Sequence, residues 1–400
     1  MTTNTSPLHN LTVIDMTEAM AGPYAAMLLG DLGADVIKVE RAGAGDSSRG
    51  WGPPFVKGES AYFLSVNRNK RSVTLNLKTE EGKRILHELV RDADIFLMNQ
   101  PRIASQRKLK IDYETLSALN PRLIYCAVSG YGMTGPYAGR SGYDVIAQGE
   151  SGTMALTGGP DDPPMRFPGP MSDITAGVYT ALAALAAIIA REQTGRGQLI
   201  DTALLDGQLT WVMNIVASYF VTGQRPPKRG NNHPTITPYE PFQAADKPFI
   251  IGVGSERLWA KFVDVLGIAD TIGADPRYKT NAERLQNRET LHKALEAIFV
   301  TQPAAHWLDM FRPLGIPCGP INNLDETLND PHVLARGMVQ TLQHPVAGEI
   351  RVLGNPVNLS ETPVSYRLAP PVLGQHTHEV LRTLGYDDES IEQLKESGVI

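Results

Sequence analysis

The stretch LTVIDMTEAMAGPYAAMLLGDLGADVIKVER, residues 11–41, decides the reading of the fold. LTVID (11–15) and VIKVE (36–40) are short apolar runs of strand length. Between them, PYAAMLLGDL (23–32) reads as a helix with Pro23 in its first turn, where an N–H has no intrahelical partner to lose. Strand, helix and strand in about 30 residues make a crossover unit whose two strands run parallel.

The alternation continues outward. SVTLNL (72–77) is a strand, and residues 79–93 form an amphipathic helix with Thr79 as N-cap. Glu80 and Glu81 occupy its first turn, where the helix dipole favours negative charge. IFLMN (95–99) and LIYCAVSG (123–130) are two more strands, separated by a helical stretch over 112–120. This pattern predicts an α/β fold, a parallel sheet covered by helices. Beyond Tyr143 the chain turns helical, with long helices expected over 173–191 and 204–222 around the strand QLIDTAL (198–204). QRPPKRGNNHPTITP (224–238) reads as a linker, followed by a hairpin over 240–254 and helices over 256–266, 281–299 and 304–314. GIPCGPI (315–321) reads as a tight loop, and the tail carries a strand, EIRVLG (349–354), and a final helix. The expected division is a large domain over 1–205 and 331–400, a helix and linker over 206–230, and a smaller α+β domain over 231–330.

Composition narrows the function classes. Lys and Arg number 37 against 43 Asp and Glu, a net charge of -6, so no basic field awaits nucleic acid. Residues 174–190 lack charge over 17 positions, at the lower edge of the roughly 17–25 that span a bilayer. They are mostly Ala, which gains little from lipid, so a packed core helix is expected and no membrane partner. Two cysteines, Cys126 and Cys318, fit a reducing cytosol, and MTTNTSPLHN lacks the basic and apolar features of a secretion signal. A soluble cytoplasmic protein is the expectation.

The common chemical motifs are missing. The turn after the first strand carries no G-x-G-x-x-G, G-x-x-x-x-G-K-[ST] does not occur, GESGT (149–153) is not G-x-S-x-G, and His376 and His378, two apart, suit no usual metal site. No metal is expected. Cys318, in a Gly/Pro loop with no His nearby in sequence, reads as packing. Asp173 heads the long Ala-rich helix and has two readings. It is an N-cap accepting backbone amides, or a carboxylate kept ionised by the dipole and able to attack an activated acyl group. Spacing leaves both open.

Seven blocks then fall in order along the chain: AGPYAAMLLGDLGADVIKVER (21–41), GDSSRGW (45–51), NRNKRSVTLNLKTEEGK (67–83), VSGYGMTGPYAGRSGYDVIAQGESGTMALTG (128–158), SDITAGVYTALAALAAI (172–188), REQTGRGQLIDTALLDG (191–207) and GIPCGPINNLDE (315–326). From Leu11 onward the chain resembles the family III CoA transferases, whose relatives include α-methylacyl-CoA racemase. The resemblance implies a Rossmann-like large domain built from both chain ends, a smaller domain between them, and open-ring subunits interlocked as a homodimer. It implies acyl-CoA and carboxylic acid substrates, coenzyme A as substrate, and no permanently bound cofactor. It places the nucleophile at Asp173, which forms an acyl anhydride and then an aspartyl-CoA thioester, with nearby backbone amides as oxyanion donors. CoA contacts carry over to Met20 and Ala21 (Met20 replacing a commoner Gln or Arg), Arg41, Leu75, Lys78, Asn99 and Arg107. Tyr143 carries over as a packing residue with its hydroxyl near the thioester, and Asp144 as a lesser candidate for holding the pantetheine or closing the site.

Tyr143 stands where the racemases have His, and Tyr, with a pKa of about 10, is a poor shuttle for an α-proton. The racemases' second Glu falls near Ser255, one place from Glu256. A racemase-like epimerase and a non-catalytic acyl-CoA-binding paralogue are the alternatives. The region RGNNHPTITPYEPF (229–242) lacks the glycine run of the oxalate enzymes and resembles the succinyl-CoA-dependent dicarboxylate transferases. Arg229 and His233, with Arg49 or Arg166, are candidates to pair a substrate's far carboxylate.

Overall fold

The computed structural model describes residues 6–400. Six strands, β1 (Thr12–Met16), β2 (Asp35–Arg41), β3 (Lys70–Leu75), β4 (Ile95–Met98), β5 (Ile124–Ser129) and β6 (Leu199–Ala203), form one parallel sheet in the order β3-β2-β1-β4-β5-β6. This is the doubly wound arrangement, with its order reversing between β1 and β4.

Helices α1 (Ala21–Asp31), α2 (Glu80–Arg91), α3 (Asp144–Glu150) and α4 (Met171–Thr194) follow in the chain. Strand side chains alternate between two cores, as a period of two requires. Val13, Ile95, Leu97, Ile124 and Cys126 pack with Ala25, Leu29, Ala184 and Ala187 of α1 and α4. Ile14, Phe96 and Tyr125 pack against Ile85, Leu86 and Leu89 of α2 and against the C-terminal helices Thr377–Thr383 and Asp388–Glu396. α2 begins as its sequence suggests, with the Thr79 hydroxyl accepting from the Gly82 amide at 3.0 Å.

α4 is long and apolar enough to cross a membrane by length and composition. In the fold its small residues, Ala176, Thr180, Ala184 and Ala187, are buried against neighbouring elements, while Val178, Tyr179, Leu182 and Ile189 stay exposed. Small residues permit the close approach to α1. A Cβ on Gly177 would lie 2.7 Å from the Ala21 carbonyl oxygen and 3.0 Å from the Tyr24 ring.

The chain divides into two compact units. The larger takes residues up to Met154, Arg166–Gly223 and Pro331–Ile400; the smaller takes Ala155–Met165 and Gln224–Asp330. The boundaries differ from the expected ones in two places. Residues 155–165 join the smaller unit, where the Gly230 amide bonds the Gly158 carbonyl at 3.1 Å. The helical stretch up to Thr222 joins the larger. That stretch is also not one helix. α5 (Leu204–Leu209) and α6 (Met213–Thr222) are separated by a 3-10 turn, Thr210–Val212, which aims the Trp211 indole N–H at the Thr175 hydroxyl, 2.6 Å away.

In the smaller unit, β7 (Tyr239–Gln243) and β8 (Pro248–Gly252) form the expected hairpin. The GIPCGPI stretch is not merely a loop, because β9 (Cys318–Pro320) adds antiparallel to β8. Phe242, Phe249, Phe262, Phe299 and Phe311 fill the core under α7 (Glu256–Val265), α8 (Arg288–Phe299) and α9 (Ala304–Phe311). The helix expected over 281–299 breaks at Asn287.

Within the larger unit, the segment after β-hairpin Val339–Leu353 is tied to α1 by a buried hub. Asp31 accepts from Arg68 Nε and Nη2 at 2.9 and 2.6 Å, from Asn69 at 2.8 Å and from Asn355 at 3.1 Å. Arg68 also donates to the Leu353 carbonyl.

Candidate active site

Ligands of doubly wound sheets sit beyond the carboxyl ends of the strands, where the order reverses. Here the turn after β1 meets the end of β4 through Asn99. Its side-chain oxygen accepts from the Glu18 amide at 3.2 Å and its NH₂ donates to the Glu18 carbonyl at 2.8 Å. The turn holds Ala19 at φ 71°, a strained value for a residue with a Cβ. Asp46 offsets that strain by accepting from the Ala19 amide at 3.2 Å. Asp46 is itself paired with the fully buried Lys38 at 2.8 Å, which also donates to the Thr17 carbonyl. Burial works against the Lys38 ammonium, but Asp15, Asp46 and Glu40 around it hold its pKa above the ordinary value.

Asp173 lies in the first turn of α4 and does not cap it. Among the described residues no hydrogen bond reaches its carboxylate. The capping is done by Asp144, the first residue of α3: its Oδ1 accepts from the Ser172 amide at 2.9 Å and the Ser172 hydroxyl at 2.6 Å. This settles the ambiguity left by spacing against the N-cap reading. The expected ionisation is also corrected. Burial, and then the negative charge of Asp144, push the Asp173 carboxyl up to about 7, outweighing the helix dipole. The first-turn amides of Met171, Ser172 and Ile174 are already bonded to Gly169, Asp144 and Pro170, so they are not the expected oxyanion donors.

The approach of α3 to this point depends on a backbone crossing. A Cβ on Gly130 would lie 2.7 Å from the Gly142 Cα, and one on Gly142 would lie 2.6 Å from the Gly130 Cα. Only glycine fits at both places. The crossing delivers Tyr143 and Asp144 to the end of β5.

The other predicted residues distribute along the same sheet edge. Met20 is buried at the cap of α1, and Ala21 packs with Ala147 and Ala176 of α3 and α4. Arg41 ends β2, largely exposed and paired with Glu18 at 3.2 Å. Lys78 and Arg107 are exposed. Leu75, at the end of β3, has its side chain buried in the core. Tyr143 is 65% exposed, and no hydrogen bond among the described residues restrains its hydroxyl.

The remaining candidates differ in their surroundings. Arg49 is not free for a substrate carboxylate: it is bidentate to Glu40, both at 2.8 Å, donates to the Pro371 carbonyl, and lies 3.7 Å over the Phe63 ring. Arg166 is exposed in the same unit as Asp173. Arg229 and His233 belong to the smaller unit, where Arg229 is exposed and the His233 ring lies 4.9 Å from that of Tyr239. Ser255 caps α7, and Glu256 is engaged by the buried Arg284 at 3.0 and 3.1 Å. Cys318 is a half-buried strand residue whose thiol is pushed up by burial, a poor nucleophile.

Two residues near Asp173 escape the sequence reading. The Tyr62 hydroxyl is raised by burial and then by the negative charges of Asp173, Asp144 and Asp46. Its ring stacks edge-on against Trp51 at 4.9 Å. Nothing in the local sequence marks it. Gln148 had a signal, since it lies four residues beyond Asp144 on one helix face, and its NH₂ donates to Asp144 Oδ2 at 2.7 Å.

The chain matches CoA-transferase family III over residues 8–377. It is 43% identical over 397 residues to the succinyl-CoA:glutarate CoA-transferase of Mus musculus, covering 98% of this chain and 90% of that protein. It is 40% identical over 393 residues to the succinate--glutarate CoA-transferase of Agrobacterium fabrum, covering 97% of each. Among solved structures, a CAIB/BAIF family protein from Brucella suis superimposes with a TM-score of 0.84 at 38% identity, over 95% of this chain and 99% of that one. A parallel sheet with both faces covered, a whole-length match and these relatives agree, and the chain belongs to CoA-transferase family III.

Proposed function

We propose that this enzyme moves CoA from succinyl-CoA to a second carboxylic acid, a dicarboxylate of the glutarate class, with Asp173 as the acyl carrier. The names of its relatives support the substrate class. The observation that carries the mechanism is the Asp173 carboxyl, left without a hydrogen bond while Asp144 caps its helix. An Asp173 oxygen attacks the thioester carbon, the C–S bond breaks, and CoA leaves as thiolate from a mixed anhydride. The thiolate attacks the Asp173 carbonyl carbon, releasing the donor acid and leaving an aspartyl-CoA thioester. The acceptor carboxylate attacks that thioester, and the thiolate returns to the acceptor's carbonyl, freeing Asp173. Each bond broken is replaced by one of similar reactivity, so the barriers stay low if water is kept out.

Arg41, Lys78 and Arg107 are proposed phosphate contacts, with Met20, Ala21, Leu75 and Asn99 along the rest of CoA and Tyr143 and Asp144 at the thioester. Their common position at the carboxyl edge of the sheet supports this. The apolar residues left exposed on α4 and α6, among them Leu182, Ile189, Phe220 and Val221, support an interlocked homodimer that covers them. The two unpaired cysteines support a cytoplasmic location.

Incubation with succinyl-CoA followed by hydroxylamine should place a hydroxamate on Asp173, detected by peptide mass spectrometry. Turnover without any label at Asp173 would move the acyl carrier elsewhere. A second expected outcome concerns pH. The attacking form is the anion, so kcat should rise with pH through about 7 and level off above it. Asp144→Asn removes the repelling charge and lets the carboxyl ionise at lower pH, so the midpoint should fall while burial keeps it above the ordinary Asp value. A kcat independent of pH from about 5 to 9 contradicts this assignment.

A further inference from the structure

We propose that Gln148 is a positioning residue for the transfer reaction: its amide fixes both Asp144 and the segment Phe167–Gly169 that leads into α4, and through them the placement of Asp173. The inference rests on the reading of Asp173 as the acyl carrier.

Gln148 is 1% exposed, and both the NH₂ and the oxygen of its side-chain amide are hydrogen-bonded. Its NH₂ donates to Asp144 Oδ2 at 2.7 Å and to the Gly169 carbonyl at 3.2 Å, with the Phe167 carbonyl at 3.4 Å. Its side-chain oxygen accepts from the Phe167 amide at 2.9 Å. One planar group thus grips the backbone of the incoming segment on its donor and acceptor sides, and the other face of the NH₂ orients the carboxylate that caps α4. The amide orientation is unambiguous, because a flipped group would set its oxygen against Asp144.

The base of this lever is also fixed. The Gln148 carbonyl accepts from the Ser151 hydroxyl at 3.1 Å, the Thr153 hydroxyl at 2.9 Å and the Met154 amide at 3.2 Å. Gln208 donates to the same Thr153 hydroxyl at 3.2 Å. The chain of contacts runs Gln148 to Asp144 Oδ2, Asp144 Oδ1 to Ser172, and Ser172 to its covalent neighbour Asp173. No other side chain donates to Asp144 Oδ2 among the described residues. Buried networks of this kind hold one geometry when every member is satisfied.

A residue that only stabilised the fold would lower melting temperature and leave the chemistry of folded molecules alone. A positioning residue changes kcat. Gln148→Leu removes the donor and acceptor together, and Gln148→Glu is isosteric and sets a second carboxyl against Asp144. The charge of Asp144 already raises the Asp173 carboxyl, so the negative charge added by Gln148→Glu acts in the same sense as Asp144. We expect kcat to fall about 10- to 100-fold in both, the size of effect caused by a small misplacement of reacting groups. KM for succinyl-CoA should stay within about twofold, and in Gln148→Glu the acidic limb of kcat should move to higher pH. Where Gln148→Leu does not fold, Gln148→Glu decides alone. Folded variants with wild-type kcat and an unmoved limb, their only defect a lower melting temperature, overturn the proposal. Hydroxylamine labelling of the wild-type enzyme reports separately on Asp173, so its failure would count against the underlying mechanism and not against Gln148.

Discussion

Asp173→Ala is expected to lower CoA transfer by about 10⁴-fold or more, because the neighbouring Asp144 carboxylate is held by Ser172 and Gln148. CoA affinity, measured calorimetrically, should change little, since the proposed phosphate and pantetheine contacts lie on other elements. Retained turnover would remove Asp173 from the mechanism. The isosteric Asp173→Asn adds a thermodynamic result. In the unfolded chain this carboxyl ionises near its ordinary value of 3.8; in the folded protein it ionises near 7. Between those values the folded state binds the extra proton, so stability falls as pH rises from about 4 to about 7 and the loss is complete above that. The amide bears no such penalty. Asp173→Asn should therefore be more stable than wild type at pH 8, by roughly 1–3 kcal/mol, and no more stable at pH 4. An inactive variant that gains stability only at the higher pH would mark the wild-type carboxyl as held against its own solvation preference.

Asp31→Ala should be the most damaging single change to the fold of the larger unit. It leaves the Arg68 guanidinium, 2% exposed, with only the Leu353 carbonyl, and strips a partner from Asn69 and Asn355. An uncompensated buried charge costs about 3–5 kcal/mol. The urea midpoint should fall accordingly, and protease should cut residues 355–368 first, because the hub holds that segment on α1. The double change Asp31→Leu with Arg68→Met removes both charges and should recover much of the loss. A midpoint within error of wild type for Asp31→Ala would show that Arg68 finds another partner.

The parallel sheet was legible because its strands are short apolar runs and its helices start with clear caps. Thr79 is an example in which two acidic residues, a hydroxyl and a following apolar stripe all agree. The places where the sequence misled share a cause. The apolar periodicity of residues 204–222 runs on without Gly or Pro at the break, and only the bond from Trp211 to Thr175 explains the interruption. GIPCGPI carries turn residues, yet pairing with β8 makes part of it a strand. At the site, Asp173 was legible as a helix-start residue, but its two roles could not be told apart until Asp144, 29 residues earlier, was seen to do the capping. Arg49 read as a candidate for the substrate's far carboxylate; Glu40, nine residues before it, takes the Nε–Nη2 edge of its guanidinium and the Pro371 carbonyl takes Nη1. Tyr62 was silent because the carboxylate charges that act on its hydroxyl come from segments far apart in sequence. Local patterns report local structure, and convergence at the sheet edge is a property of the topology.

The crossing of Gly130 and Gly142 also makes residues 131–141 a loop with a closed neck. It is filled by its own side chains, with Arg140 over the rings of Tyr131 and Tyr137 at 4.6 and 4.3 Å, and is pinned outside by the Met133 amide on Asp201. Because the ends already touch, changing the length between them adds little closure entropy and need not shift α3 or α4. That makes the loop a natural cassette: its tip can be exchanged while the glycine pair keeps α3 and α4 in register.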